Sequence, residues 1–156
     1  MLTLSIPGFQ VLELEHLVCD YNGTLARDGH LLDGVKERLA RLAGSLSLHV
    51  VTADTFGQAR TALAGMDLRL TVLPSNAQDV AKAEYLKNIG AARAAAIGNG
   101  RNDRDMLNAA ALSIAVVGPE GAAADTLTAA DVVALDILAA LDLLTNPQRL
   151  VATLRR

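Results

Sequence analysis

What most constrains the fold is an alternation: short aliphatic runs take turns with stretches of helical periodicity along the whole chain. Residues 2–6 and 11–14 alternate apolar with polar around Pro7-Gly8, the pattern of an N-terminal β-hairpin. Residues 17–19 form an apolar run that stops at Asp20. Val35, Leu39 and Leu42 stand at helical spacing, with Lys36, Glu37 and Arg41 on the other side and Gly44 behind them. A strand over 46–51 ends at Thr52, Phe56, Ala59 and Leu63 mark a second helix, and a strand over 68–73 follows. Ser75 with Gln78 gives a capping-box pattern opening a helix that runs to Gly90. A strand over 94–97 ends at Gly98, and Asn102 is placed to cap a helix carrying Met106, Leu107 and Ala110. Strands over 113–117 and 131–135 flank a short helix, before a helix over 137–144 and a last turn from Pro147. This order predicts an α/β, three-layer Rossmann-like fold: an open, mainly parallel sheet with helices on both faces. No repeat, linker or low-complexity stretch interrupts it, so residues 1–156 read as a single domain.

Composition narrows the function classes. Hydrophobic residues make up 51% but aromatics only 3%, so the core is aliphatic and there is no platform for stacking bases. With 14 basic against 17 acidic residues, the basic footprint of a nucleic-acid partner is absent. The one cysteine, Cys19, excludes an internal disulfide and reads as a small core residue. There is no basic leader and no long apolar stretch, so the reading is a cytoplasmic protein with no membrane partner.

In open parallel sheets, ligands bind beyond the carboxyl ends of the strands. Three strand ends here carry chemistry. The first gives Asp20-Tyr21-Asn22-Gly23-Thr24: a carboxylate rigidly aimed by its strand, then a glycine turn able to fold round an anion. The second gives Thr52-Ala53-Asp54, a hydroxyl and backbone N–H groups near a helix start, suited to phosphate. The third gives Gly98-Asn99-Gly100-Arg101-Asn102-Asp103, whose oxygen ligands suit a hard cation. Lys82, early in a helix between them, offers a positive charge; Lys87 is its rival.

These segments resemble the four motifs of the haloacid dehalogenase superfamily, in order: Asp20 to Thr24 the first, Thr52 the second, Lys82 the third, and residues 98–103 the fourth. The combination looks especially like the phosphorylation domain of P-type ATPases and the small soluble proteins similar to it. The resemblance implies a Mg²⁺-dependent phosphohydrolase. Asp20 is then the nucleophile, and Asn22 and Lys82 belong to the catalytic set. Thr52, Ala53 and Asn102 hold the substrate, and Asp20, Asn22, Asn99 and Asp103 hold the metal. It implies as partner a phosphorylated small molecule or a phosphoprotein, and leaves room for a homo-oligomer. Caps in this superfamily are inserted after the first motif or between the second and third. Neither gap here is long enough, so no cap domain is expected and the site should be open.

Two positions depart from the family pattern. Asn22 stands where an Asp usually works as acid and base, and Asn99 where an Asp usually binds Mg²⁺. The first change implies slow turnover, since positioned proton transfer contributes ~10²–10⁴-fold; the second implies weak metal binding. The features also suit a regulatory or phosphate-binding protein with negligible turnover. Asp54 reads as a helix cap, Arg101 equally as a substrate contact or a solvated side chain, and His16, His30 and His49 lack ligand spacing. Gly98-x-Gly100 lacks the third glycine of a dinucleotide fingerprint, because position 103 is Asp.

Overall fold

The computed structural model describes residues 1–54 and 57–156. In chain order its elements are β1 (Leu2–Ser5), β2 (Val11–Leu14), β3 (His16–Asp20), β4 (Ala26–Arg27), β5 (His30–Leu31), α1 (Val35–Ala43), β6 (Ser47–Thr52) and α2 (Gln58–Ala62). There follow β7 (Arg69–Val72), α3 (Gln78–Ile89), β8 (Ala94–Gly98), α4 (Arg104–Ala109), β9 (Leu112–Val116), α5 (Ala124–Ala129), β10 (Val132–Ala134), α6 (Ile137–Thr145) and α7 (Gln148–Leu154). Phe56, expected in the second helix, lies outside the described residues.

The central sheet has the order β10-β9-β8-β3-β6-β7, and every neighbouring pair is parallel. β1 and β2 form the expected antiparallel hairpin outside it. The chain winds outward from β3 through β6 to β7, then returns to β8 on the other side of β3. That reversal opens a crevice at the carboxyl ends of β3 and β8, where such sheets bind ligands.

Strand periodicity divides the core in two. Leu17 and Cys19 of β3 face a cluster with Val35, Leu39 and Leu42 of α1, Ile137 and Leu141 of α6, and Leu12 and Leu14 of the hairpin. Val18 faces the other way, with Val51, Leu86, Met106 and Leu107. Each fully buried Leu, Val or Met side chain stabilises the fold by ~1.5–3 kcal/mol. Burial also pushes the Cys19 thiol up, so it stays a neutral apolar residue. A bidentate pair, Arg38 to Asp142 at 2.8 and 3.0 Å, ties α1 to α6.

Two helix starts differ from expectation. Ala77, not Ser75, precedes α3, in the left-handed region at φ 52° and without a side-chain cap; Gln78 Nε2 donates to the Ser75 carbonyl instead. Asn102 lies inside a 3₁₀ turn (Arg101–Asp103) and its amide donates to Gln78 Oε1 at 3.0 Å, so it bridges to α3 rather than capping α4. Asp54 does cap: its carboxylate accepts from the N–H groups of Ala59 and Arg60 at 2.7 and 3.2 Å, at the start of α2. Between the first site strand and α1 there is room only for β4 and β5, a two-residue hairpin whose turn, Asp28-Gly29, has positive φ at both positions as that turn requires. Among the described residues no helix is long and apolar enough to cross a membrane.

Candidate active site

Asp20 ends β3, and Asn99 to Asp103 begin just past the end of β8 beside it. Two glycines set how closely these segments approach. A Cβ on Gly98 would meet Asp103 Cγ at 2.5 Å, and Gly23, at φ 78°, would place one 2.5 Å from Asn99 Nδ2. A larger residue at Gly23 forces the two loops apart, and one at Gly98 displaces the Asp103 side chain within its own loop.

Lys82, on α3, reaches across the sheet end and is 1% exposed. Its ammonium donates to Asp20 Oδ1 and to Asp103 Oδ1, both at 2.7 Å. Lys87, one turn further along α3, is exposed. Asp103 Oδ2 accepts the backbone N–H groups of Asn99 and Gly100 at 3.0 and 2.9 Å. Asp103 therefore fixes the loop with one oxygen and the lysine with the other. Thr24 stands on the far side of Asp20, its hydroxyl 3.2 Å from Asp20 Oδ2 and 3.1 Å from Asn99 Oδ1. Asn99 Nδ2 is held by the Gly121 carbonyl at 3.0 Å.

The buried set of two carboxylates and one ammonium carries a formal charge of about −1. Burial first, and the Asp103 carboxylate second, push the Asp20 carboxyl above the usual carboxylate range, against the pull of Lys82 and Thr24. Lys82 is held above its ordinary value by the two carboxylates, which outweigh its burial.

Thr52 closes the third side at the end of β6. Its hydroxyl oxygen accepts from the Asp54 N–H at 3.2 Å and lies 3.5 Å from Asn22 Nδ2. Ala53 follows, half-buried, at the start of the loop. Tyr21, fully buried between Asp20 and Asn22, donates its hydroxyl to the Gly29 carbonyl at 2.9 Å and so ties the β4–β5 turn to the site. The structure thus gathers Asp20, Lys82, Asn99 and Asp103 tightly, sets Thr52 and Asn22 beside them, and turns Asn102 toward Gln78. Arg101 points into solvent, its side chain 82% exposed and 3.4 Å from Asp125. Thr24 is a site residue that the strand-end pattern alone did not single out; its place two residues beyond Asn22, after the glycine, was the available signal.

The donor set fits a hard divalent cation. Thr24 has one hydroxyl proton for two acceptors, Asp20 Oδ2 and Asn99 Oδ1, so one of these oxygens always lacks its donor. The unbalanced charge has the right sign, and the oxygens are carboxylate and amide. Among the described residues no group of three or more His, Cys, Asp or Glu side chains gathers to hold a metal, so amide and carbonyl oxygens must complete the set.

No family model matches the chain. It is 53% identical over 60 residues to the uncharacterized protein MJ0073 of Methanocaldococcus jannaschii, a match that covers 38% of this chain and 64% of that one. It is 44% identical over 39 residues to the uncharacterized protein MJ0072 of the same organism, covering 25% of this chain and 89% of that one. Among solved structures it resembles the cobalt-bound deoxy-D-mannose-octulosonate 8-phosphate phosphatase of Haemophilus influenzae, at a TM-score of 0.71 and 17% identity, covering 88% of this chain and 90% of that one. It also resembles the 3-deoxy-D-manno-octulosonate 8-phosphate phosphatase of Moraxella catarrhalis in complex with magnesium, phosphate and its KDO molecule, at a TM-score of 0.61 and 16% identity, covering 92% and 94%. By fold the chain is like these phosphatases, and by sequence it belongs to one family with MJ0072.

Proposed function

We propose that the chain is a Mg²⁺-dependent phosphohydrolase that works slowly through an aspartyl phosphate on Asp20. The observation that carries this reading is the buried Asp20 carboxylate at a strand end, gripped by Lys82 at 2.7 Å and hydrogen-bonded by Thr24, with Thr52 ending the neighbouring strand. That the structural neighbours are phosphatases supports it.

Asp20 Oδ attacks phosphorus as the bond from phosphorus to the leaving oxygen breaks, and the leaving group takes its proton from water. Lys82 and the Thr52 hydroxyl hold phosphoryl oxygens, with Asn102 and the Ala53 N–H at the edge of the same seat. Water then attacks the acyl phosphate and returns Asp20. The cation would be held by Asp20, the Asn22 carbonyl and Asn99 Oδ1. Asp103 has a smaller direct share, because Lys82, Asn99 and Gly100 already engage its oxygens. When bound, that ion supplies charge neutralisation for the phosphoryl oxygens.

Asn22 cannot accept a proton, and hydrolysis of the intermediate needs a base whatever the substrate. An aryl phosphate needs little help in leaving, so its first step survives. The aspartyl phosphate therefore accumulates. The substrate is a phosphorylated small molecule or a phosphoprotein able to enter a site with no cap.

Stopped-flow mixing with an aryl phosphate and Mg²⁺ tests this. A burst of leaving group near one equivalent is expected, absent in Asp20→Asn. Asn22→Asp should shrink the burst and raise the steady rate by ~10²-fold. Linear release with no trappable phosphoenzyme would reject the reading. No release at all would favour a phosphate-binding protein with negligible turnover, for which Asn22 and Asn99 also speak.

A further inference from the structure

The amino ends of β3 and β6 carry a second cluster that the phosphatase chemistry does not use. His16 opens β3, and His49 lies two residues beyond its register partner, Ser47, on β6. His16 and His49 therefore project from the same face of the sheet, toward α3. His16 Nδ1 and His49 Nε2 face each other at 3.2 Å. The other nitrogen of His49, Nδ1, is 2.8 Å from the Tyr85 hydroxyl on α3. His49 is 7% exposed, while His16 is only half-buried. Both line a cavity of about 580 Å³ that also meets Ser47, Asp67 and Arg69. Arg69 brings one positive charge and Asp67 one negative, and the Arg69 charge acts on the His49 ring, so ligation by the imidazole nitrogens has to outweigh it.

We propose that His16 and His49 form a binding site for one borderline-soft divalent cation of the Zn²⁺ class, entering through this cavity. Three features support it. First, two ligand bonds of ~2.0–2.1 Å at a tetrahedral angle set their nitrogens a little over 3 Å apart, the separation found here. Second, ligating histidines characteristically spend their other nitrogen on an orienting hydrogen bond, and Tyr85 gives His49 that partner: with Tyr85 accepting from Nδ1–H, the Nε2 lone pair is turned toward His16. The ion takes the place of the proton the two imidazoles otherwise share, and His16 carries its hydrogen on Nε2 instead. Third, imidazole prefers zinc, nickel and copper to magnesium, and water from the open cavity completes the coordination. His16 lies four residues back along β3 from Asp20, ~13 Å at strand rise, and His49 is level with Val18, two residues back, so the pair sits toward the amino ends of the strands, away from the catalytic oxygens.

The test is calorimetric titration of Zn²⁺ into the full chain in saturating Mg²⁺, which occupies the oxygen site. Wild type should take up one equivalent. His16→Gln, a change at a half-exposed strand start, should lose that binding while Mg²⁺-dependent phosphate release stays as in wild type. Tyr85→Phe keeps both ligands and should bind ~10-fold more weakly, the cost of losing an orienting partner. Cu²⁺ in place of Zn²⁺ should show couplings from two imidazole nitrogens in its electron paramagnetic resonance spectrum. Absence of Zn²⁺ uptake, or uptake and nitrogen couplings unchanged in His16→Gln, would overturn the proposal and leave the pair as a proton-sharing hydrogen bond. Because the readout is metal uptake, it stands or falls apart from phosphatase activity.

Discussion

The same two strands end in opposite chemistries. At their carboxyl ends β3 and β6 present Asp20 and Thr52: oxygen atoms, a buried negative charge, and a lysine to balance it. At their amino ends they present His16 and, one turn of the pleat inward, His49: nitrogen atoms, among the described residues no carboxylate hydrogen-bonded to either ring, and a tyrosine as partner. Only the first end repeats what the sheet topology dictates, because the crevice between diverging β6 and β8 connections forms there. The second end depends on which residues happen to share a face. A parallel sheet thus fixes where an active site goes, while side-chain register decides what else is built.

Breaking the oxygen end should have the largest effect. Asp20→Ala should lower phosphate release by ~10³-fold or more, as expected for loss of a nucleophile. Any activity near wild type would remove Asp20 from the chemistry. Zn²⁺ uptake should be unchanged in that variant, which keeps the two ends apart.

Lys82→Met should come next. It leaves Asp20 and Asp103 buried without their cation, a change that typically costs ~3–5 kcal/mol. Urea unfolding should show this loss without Mg²⁺ and a smaller loss with it. An equal loss in both conditions would mean that the oxygens do not hold the ion.

At the nitrogen end the handle is acid. Burial, then His16 and Arg69, lower the His49 pKa from 6.5 to about 4. Between those values the unfolded chain binds a proton that the native state refuses. Stability present above pH 6.5 should therefore fall as pH drops toward 4, by up to ~3 kcal/mol. The change in urea midpoint between pH 7.5 and 5.0 in chelator should differ between wild type and His49→Gln, the raised Asp20 carboxyl titrating alike in both. Equal separations in the two proteins would show that His49 does not set the slope.

The smallest effect belongs to Asn99. Asn99→Asp adds a carboxylate beside Thr24 and should tighten Mg²⁺ by ~10-fold, read as a lower half-saturating concentration for activity. An unchanged or weaker metal dependence would place the ion elsewhere.

Much of the oxygen end was legible in the sequence, because all of its residues but Lys82 follow from a strand end and strand ends are marked by apolar runs stopping at turn residues. Asp20, Thr52 and the loop from Gly98 are read this way. Lys82 was distinguishable from Lys87 only through its place nearer the helix start; burial then separates them sharply. The helix entries were misread at Ser75 and Asn102, because a capping pattern competes with tertiary partners: Asn102 finds Gln78 on another helix, and α3 begins from a left-handed Ala77 instead. The histidine pair was not legible at all. His16 and His49 are 33 residues apart, and they meet only because β6 pairs with β3 in one particular register, on which no local spacing bears.

The placement of the aromatic side chains has a practical consequence. The chain has two tyrosines and no tryptophan. Tyr21 is bonded to the Gly29 carbonyl beside the oxygen end, and Tyr85 to His49 at the nitrogen end. Tyrosine emission is therefore not drained into an indole, and each phenol reports on one end alone. Tyr21→Phe and Tyr85→Phe would divide the signal between them, so that unlabelled protein can be followed optically at either end while Mg²⁺ or Zn²⁺ is titrated in.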